Sequence, residues 1–433
     1  MASRCILILL DGLGDRAYPE LGGRTPLSAA KTPNLDALAA MGACGLMHAE
    51  RPGLALPSEN AHFAMFGYER DEFPGRGYLE ALGAGIEPRP DEVALLAHFV
   101  SVREKDGVLV LHESRPQATA GEADFFAGLV KIFTGGSSVV RYEQTRHLDG
   151  IVLLDEEVSP FITDTDPLEA GKPLLETMPY RVMADDAKAR HTALELKKYL
   201  VWCYDILRDH PRNLKRIKRG LAPLNALVTQ RAGQQRIVQP FSSRWGLQGL
   251  SIASGLVYWG LGRFIGMDVQ AVTDSDDSGR DLAERLRIAL ACGNRYDFIH
   301  VHTKAPDAAA HAKDPRRKKA VIEELDRGIG EVLEYVDGDT VFVVTADHST
   351  PSAGPQVHSG EPVPVMFVGP GMRRDLVKRF DEVHCAAGAL GSLRGSDFMP
   401  MVLNCLDRAK LQGLMDTPDD QAYWPGHRKP FRL

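Results

Sequence analysis

The feature that most limits the possible folds of this chain is a set of short apolar runs that end at or just before acidic residues. Residues 5–10 are wholly apolar and are followed by Asp11, and residues 340–345 form a second run shortly before Asp347. Such runs suit strands that are buried on both faces of a sheet. Helical patterns, such as the one over residues 319–336, separate the runs. Strands that alternate with helices predict a mostly parallel sheet sandwiched by helices, which is an α/β fold.

The middle of the chain follows a different pattern. Strand-like runs at 94–102, 107–112 and 150–154 precede a long helical pattern at 187–207. The length of 433 residues allows two or three domains. We therefore predict an α+β domain inserted at 87–243 into a discontinuous core formed by 1–86 and 244–433.

The overall charge excludes some functions. The chain has 51 Lys and Arg against 58 Asp and Glu, which gives a net charge of -7. A general nucleic-acid or membrane-surface binder needs a positive field, so neither partner is expected. The sequence shows neither a spanning segment nor a signal peptide, and its six cysteines form no CxxC pair. We expect a cytoplasmic protein.

Acidic and histidine residues follow the predicted strands. In an open α/β sheet, ligands bind beyond the carboxyl ends of the strands, so these side chains are expected to meet at one edge. Carboxylate and imidazole groups suit Mn²⁺, Zn²⁺ or Mg²⁺. The candidate ligands are Asp11, Asp307, His311, Asp347, His348 and His358.

A serine in the segment 57–62 provides a candidate nucleophile. Ser58 precedes an apolar stretch, and a hydroxyl at a helix start beside metal ions can attack phosphorus as an alkoxide. Ser58 alone is most simply a helix cap, and each acidic residue alone is most simply a turn former. Their joint position at one predicted sheet edge favours the catalytic interpretation.

These motifs resemble the alkaline phosphatase superfamily. More closely, the chain is similar to the short, archaeal-type cofactor-independent phosphoglycerate mutases along nearly its whole length. The motifs that carry the resemblance lie at 11–15, 19–26, 32–36, 75–77, 80–85, 162–167, 209–211, 231–233, 262–263, 307–311, 347–351, 358–360 and 394–397.

The resemblance implies an alkaline-phosphatase-like core and two divalent metal ions, with Mn²⁺ preferred and Mg²⁺ or Zn²⁺ possible. It implies one ion on Asp11, Ser58, Asp347 and His348, and the other on Asp307, His311 and His358. Ser58 resembles the serine that is transiently phosphorylated. The inserted domain resembles one that grips a small phosphorylated acid. The candidate substrate-binding residues are Arg231, Arg263, Lys304, Asp164, Asp166 and His62.

The implied activity is the interconversion of 3-phosphoglycerate and 2-phosphoglycerate in glycolysis and gluconeogenesis, an isomerase reaction. The family loop reads Ser-Asp-Thr-Ala-His, whereas this chain has Glu59 and Asn60 after Ser58. That difference keeps an alternative open, namely a metal-dependent phosphohydrolase or a mutase of another small phosphorylated metabolite. A non-catalytic phosphate-binding relative is disfavoured because the candidate ligand set is complete.

Overall fold

The computed structural model describes residues 2–336, 338–409 and 431–433. The chain divides into two compact units, Met1–Phe73 with Val238–Leu433, and Pro74–Ile237. The second unit thus starts at Pro74 rather than at 87 and ends at Ile237 rather than at 243. The earlier start has a physical reason in Gly77, where a Cβ would lie 2.2 Å from the backbone oxygen of Ala94. The segment around Gly77 therefore packs directly on a strand of the second unit.

The first unit is built on an eight-stranded sheet with the order β10-β9-β11-β1-β12-β13-β2-β14. Its strands are β1 (Arg4–Leu10), β2 (Ala43–His48), β9 (Gly249–Ala253), β10 (Asp268–Ala271), β11 (Phe298–Thr303), β12 (Thr340–Thr345), β13 (Val363–Val368) and β14 (Gly391–Arg394). Its helices are α1 (Pro26–Ala29), α2 (Pro33–Met41), α3 (Ser58–Met65), α8 (Phe241–Trp245), α9 (Leu256–Phe264), α10 (Ser278–Ala291), α11 (Ala305–His311), α12 (Pro315–Ile329), α13 (Glu382–Cys385) and α14 (Gly395–Cys405).

The centre of this sheet is parallel and buried. β1 pairs in parallel with β11 on one side and with β12 on the other, and all of its residues are buried. β13 breaks the parallel arrangement, because it runs antiparallel to both β12 and β2. The predicted mostly parallel α/β sheet with flanking helices is confirmed, with this one reversed strand.

The second unit is built on a six-stranded sheet with the order β4-β3-β7-β6-β5, in which β8 also pairs with β3. Its strands are β3 (Val93–Lys105), β4 (Val108–Glu113), β5 (Ile132–Phe133), β6 (Val140–Arg146), β7 (Asp149–Leu154) and β8 (Ala226–Gln234). Its helices are α4 (Arg76–Gly83), α5 (Ala120–Leu129), α6 (Ala187–Arg208) and α7 (Pro211–Lys218). The strand pairs are all antiparallel. An antiparallel sheet with separate helices is an α+β arrangement.

The start of α2 is stabilised by a side chain that is distant in sequence. Thr32 and Pro33 predict the start of α2, and α2 begins at Pro33, yet Thr32 makes no capping hydrogen bond. Asp326 of α12 supplies the acceptor instead, because its carboxylate accepts from the backbone nitrogen of Leu35 at 2.8 Å. A carboxylate at a helix N-terminus also meets the positive end of the helix dipole.

Among the residues that the structure describes, no helix combines the length and the apolar character needed to cross a bilayer. All six cysteines are free thiols.

Candidate active site

Three neighbouring strands bring the acidic residues together at one edge of the first unit's sheet. Asp11 follows β1, Asp347 and His348 follow β12, and Asp307 lies in α11 just after β11. β11, β1 and β12 are adjacent and parallel, so their carboxyl ends lie side by side. The sheet topology therefore places residues that are distant in sequence at one site.

Asp11, Asp347 and His348 form the first cluster, which we call the Asp11 group. Each offers one ligand atom, and these atoms lie within 4.8 Å of one another. His348 Nε2 is 3.2 Å from Asp347 Oδ2 and 3.5 Å from Asp11 Oδ1. Asp347 Oδ1 accepts hydrogen bonds at 3.0 Å from the backbone nitrogens of Gly12 and His348, so its other oxygen is turned toward the group.

Asp307, His311 and His358 form the second cluster, which we call the Asp307 group. α11 presents Asp307 and His311 on one face, and His311 Nε2 is 3.2 Å from Asp307 Oδ1. His358 Nε2 is 3.5 Å from the same oxygen, while its Nδ1 lies 2.8 Å from the backbone oxygen of Leu56. That second contact orients the ring with Nε2 toward Asp307.

The two central acids are held in the ionised form. Burial by itself would raise the pKa of Asp11, but nearby Lys304 and a hydrogen bond with His302 outweigh burial and leave the pKa well below its usual range. Burial also opposes ionisation of Asp307, and hydrogen bonds with His311 and His358 likewise leave its pKa far below normal. Both carboxylates are therefore negatively charged at neutral pH.

The pKa values of His348 and His358 shift in opposite directions. Burial lowers the pKa of His348 more than the neighbouring carboxylates raise it. Burial also opposes protonation of His358, but its hydrogen bond with Asp307 raises its pKa overall. A neutral imidazole can offer a lone pair to a metal, so His348 is already in the form that a ligand requires.

One carboxylate oxygen in each group accepts no hydrogen bond although it is buried, namely Asp347 Oδ2 and Asp307 Oδ2. Lys304 Nζ lies 3.4 Å from Asp307 Oδ2, and His348 Nε2 lies 3.2 Å from Asp347 Oδ2, but neither contact is a well-formed hydrogen bond. A bound cation would satisfy both buried anionic oxygens. Both groups consist of carboxylate oxygens and imidazole nitrogens, which suit Mn²⁺, Zn²⁺ or Mg²⁺. The residues therefore fit the use of divalent metal ions.

Ser58 lies against the Asp11 group. It is the first residue of α3 and is only 4 % exposed. Its Oγ is 2.9 Å from His348 Nε2 and 3.5 Å from Asp11 Oδ1. The hydroxyl is thus placed among the same ligand atoms, where a cation would make it more acidic.

His62 belongs to a buried aromatic cluster behind the Asp11 group. His62 is one of the predicted substrate-binding residues, but its side chain is completely buried. Its Nδ1 is 2.8 Å from the backbone oxygen of Ser58 and 3.4 Å from Asp347 Oδ2. These contacts make His62 a positioning residue for the neighbouring serine and carboxylate.

Two further residues of this cluster were missed by sequence reasoning. The Tyr258 hydroxyl of α9 donates to Asp11 Oδ2 at 2.6 Å, and His302 Nε2 lies 3.1 Å from the same oxygen. His302 stands in the buried strand β11, and Tyr258 in a helix with an ordinary apolar face. The one sequence signal for His302 was that the end of β11 is polar, which is unusual for a buried strand.

Lys304 and Arg263 are the cations of the first unit that we expect to bind substrate. Lys304 Nζ lies 3.4 Å from Asp307 Oδ2 and 3.5 Å from the Tyr258 hydroxyl, so it stands beside both groups. Arg263 is exposed near the end of α9, the helix that carries Tyr258.

The remaining candidates lie together in the second unit. The backbone nitrogen of Arg231 donates to Asp164 at 2.7 Å, and Arg231 has a left-handed φ of 54°. Asp166 Oδ2 lies 3.6 Å from His98 Nε2. Burial, helped by Arg115, lowers the pKa of His98 to about 4. His98 was not singled out in the sequence because it lies within the strand pattern of β3.

A mostly parallel sheet with two acid–histidine groups and a serine at its edge defines a metal-dependent enzyme of the phosphoryl-transfer type. In agreement, residues 3–405 match the Metalloenzyme superfamily. A 2,3-bisphosphoglycerate-independent phosphoglycerate mutase from Methanocaldococcus jannaschii is 40% identical over 98% of this chain and 97% of its own length. One from Methanopyrus kandleri is 38% identical over 95% and 98%.

Solved structures agree with these relatives. A protein from Pyrococcus horikoshii has a TM-score of 0.77 at 30% identity, covering 95% of this chain and 99% of its own. A cofactor-independent phosphoglycerate mutase from Thermoplasma acidophilum has a TM-score of 0.63 at 30% identity, covering 93% and 100%. The chain belongs to the 2,3-bisphosphoglycerate-independent phosphoglycerate mutase family of the Metalloenzyme superfamily.

Proposed function

We propose that this chain interconverts 3-phosphoglycerate and 2-phosphoglycerate through a phosphoserine at Ser58. The observation that carries the proposal is the placement of the Ser58 hydroxyl, buried within 2.9 Å of His348 Nε2 and 3.5 Å of Asp11 Oδ1. The proposed substrate is inferred from the relatives, which are named as phosphoglycerate mutases.

We assign one divalent ion to the Asp11 group together with Ser58, and a second to the Asp307 group, with Mn²⁺ the preferred metal. Bound there, the ions would acidify the serine hydroxyl and neutralise charge on the transferring phosphoryl oxygens. Support for two separate sites comes from the buried carboxylate oxygen in each group that accepts no hydrogen bond, Asp347 Oδ2 and Asp307 Oδ2. The protein's part is to hold these ligands in place.

The chain's own chemistry consists of two phosphoryl transfers. In the first, Ser58 Oγ loses its proton and attacks the phosphorus, while the bond from phosphorus to the C3 oxygen of the glycerate breaks and that oxygen takes up a proton. In the second, the C2 hydroxyl of the same glycerate loses its proton and attacks the phosphoserine, while the bond to Ser58 Oγ breaks and the serine oxygen takes up a proton. No water enters the overall reaction, so the net change is an isomerisation.

The second unit is proposed to hold the glycerate between the two transfers. Arg231 suits a phosphate or carboxylate because a guanidinium binds both in a bidentate manner. Asp164 and Asp166 are the candidates for moving protons at the glycerate hydroxyls. Lys304 and Arg263 of the first unit are assigned to the phosphate, and a cytoplasmic location is part of the same proposal.

The test supplies 3-phosphoglycerate to the full chain with Mn²⁺ and measures 2-phosphoglycerate and inorganic phosphate in the same sample. We expect 2-phosphoglycerate without a comparable amount of phosphate. Ser58→Ala should lose the conversion, whereas Ser101→Ala, which removes a buried hydroxyl of the second unit that has no hydrogen-bond partner, should retain it.

The same assay distinguishes the alternative. Phosphate as the main product would identify a phosphohydrolase, with Glu59 and Asn60 the first residues to examine in the altered loop. Absence of both products, with other phosphorylated acids converted, would indicate a mutase of a different metabolite.

A further inference from the structure

The Thr350 side chain connects the two groups of candidate metal ligands. Its Oγ1 lies 2.8 Å from Asp307 Oδ1 and 3.1 Å from His348 Nδ1. Thr350 is completely buried, and its two partners are buried as well. One hydroxyl thus contacts an acid of the Asp307 group and the histidine of the Asp11 group.

The chemistry of the partners fixes the direction of both hydrogen bonds. An ionised carboxylate only accepts, so the single hydroxyl proton of Thr350 must go to Asp307. The Thr350 oxygen can then only accept from His348, which requires a proton on Nδ1 of the neutral ring. Nε2 of His348 is left with its lone pair and lies 2.9 Å from Ser58 Oγ, which can donate to it. The same nitrogen lies 3.2 Å from Asp347 Oδ2 and 3.5 Å from Asp11 Oδ1, which only accept, so the hydrogen bond with Thr350 acts against the attraction of these carboxylates for a proton on Nε2.

The backbone around Thr350 is held independently of the hydroxyl. The Thr350 nitrogen donates to the Gly14 oxygen at 3.0 Å, and its carbonyl accepts from Lys318 Nζ at 2.8 Å. Gly12 makes room for the side chain, because a Cβ there would come within 2.6 Å of Thr350 Oγ1 and 2.8 Å of Asp307 Cβ. Removing only the hydroxyl should therefore leave the local fold in place.

We propose that Thr350 is a positioning residue that sets the Nδ1–H tautomer of His348 and couples the two groups. It aims the His348 Nε2 lone pair at the place where Ser58 and a cation meet, and it steadies Asp307 with the same hydroxyl. Partners that orient metal ligands commonly affect metal affinity 10–100-fold. The inference uses the metal assignment of the proposed function but not the mutase reaction.

The experiment compares the full chain with Thr350→Val, which keeps the shape and loses the hydroxyl, and with Thr350→Ser, which keeps the hydroxyl. Nitrogen-15 imidazole spectra of the metal-free proteins report the His348 tautomer, assigned by comparison with His348→Gln. Calorimetric titration with Mn²⁺ reports affinity at both sites. Thr192→Val is the matched control, because it removes a buried hydroxyl of the second unit that also makes two hydrogen bonds, donating to the Lys188 oxygen and accepting from the Ser159 nitrogen.

We expect the Nδ1–H tautomer in wild type and Thr350→Ser, and a mixture of tautomers in Thr350→Val. Mn²⁺ should bind about 10-fold or more weakly to Thr350→Val at both sites, while the control binds as wild type does. An Nε2–H tautomer in wild type, or unchanged Mn²⁺ affinity in Thr350→Val, would overturn the proposal. Wild type that binds no Mn²⁺ would instead contradict the metal assignment, and the tautomer spectra would still decide the role of Thr350.

Discussion

The Tyr258 hydroxyl donates a 2.6 Å hydrogen bond to Asp11 Oδ2 and thereby fixes which carboxylate oxygen faces the serine. Burial raises the pKa of Tyr258 well above normal, and Asp11 raises it further, so the phenol keeps its proton. His302 Nε2 contacts the same oxygen at 3.1 Å. Asp11 Oδ1 is therefore the atom left for Ser58 and His348.

Tyr258→Phe is expected to weaken Mn²⁺ binding at the Asp11 group about 10-fold, because Asp11 loses one of the two contacts that orient it. Binding at the Asp307 group should change much less. Titration of the variant with Mn²⁺ checks the difference between the sites. Tyr142→Phe, which removes a hydroxyl near the Leu148 oxygen in the second unit, is the control. Equal weakening at both sites would argue against a specific role for Tyr258.

A buried ion pair joins the loops that carry the ligands. Lys318 Nζ of α12 donates to Asp15 Oδ2 at 3.0 Å, to the Gly14 oxygen at 2.9 Å and to the Thr350 oxygen at 2.8 Å. Both charged side chains are fully inaccessible in this pair. Lys318→Met should lower the free energy of unfolding by about 3–5 kcal/mol, because it leaves the Asp15 carboxylate buried without a cation.

A double-mutant cycle gives the interaction energy of Lys318 and Asp15. It requires urea unfolding of wild type, Lys318→Met, Asp15→Asn and the double variant. The double variant should be more stable than Lys318→Met alone, since it removes the uncompensated charge. If the double variant loses as much free energy of unfolding as the two single variants together, the two charges do not interact.

Stability should also depend on pH through Glu382. Burial raises the pKa of Glu382 to about 7 from 4.5, although Thr25 donates to its Oε2 at 2.7 Å. The folded state therefore holds this proton more tightly than the unfolded state does. The resulting stabilisation is fully present below pH 4.5 and is lost as pH rises toward 7.

Glu382→Gln stays neutral at every pH and lacks this dependence. Relative to that variant, the free energy of unfolding of wild type should fall by up to about 3 kcal/mol as pH rises from 4.5 through 7, and the change should level off above that pH. Urea midpoints of both proteins at several pH values measure the difference. A difference that does not change with pH would contradict the role given to Glu382.

The parts of the fold that sequence could predict depend on patterns within single segments. The apolar run before Asp11 and the spacing of Asp307 and His311 each identify an element and the residue at its end. The direction of a strand cannot be predicted from such a pattern, because an apolar run such as β13 has the same composition in a parallel and in an antiparallel sheet. The boundary near Pro74 was also missed, since it depends on the contact of Gly77 with the Ala94 backbone.

The residues that support the site were harder to find for a related reason. Tyr258 and His302 act on Asp11, which is distant in sequence, and each stands in an element whose pattern already has a structural explanation. Thr350 connects the nearby His348 to the distant Asp307. Their partners become apparent only when β11, β1 and β12 are placed side by side. Asp11, Asp347 and His348 were recognisable because they follow apolar runs, whereas the supporting residues do not stand out in this way.

The most direct test of the central claim is rapid acid quenching of the full chain with Mn²⁺ and 3-phosphoglycerate, followed by peptide mass spectrometry. We expect a phosphoryl group on Ser58 that appears within the first turnover and is absent from Ser58→Ala, with Ser101→Ala behaving as wild type does. Turnover to 2-phosphoglycerate that persists in Ser58→Ala, or a phosphoryl group found on another residue, would contradict it.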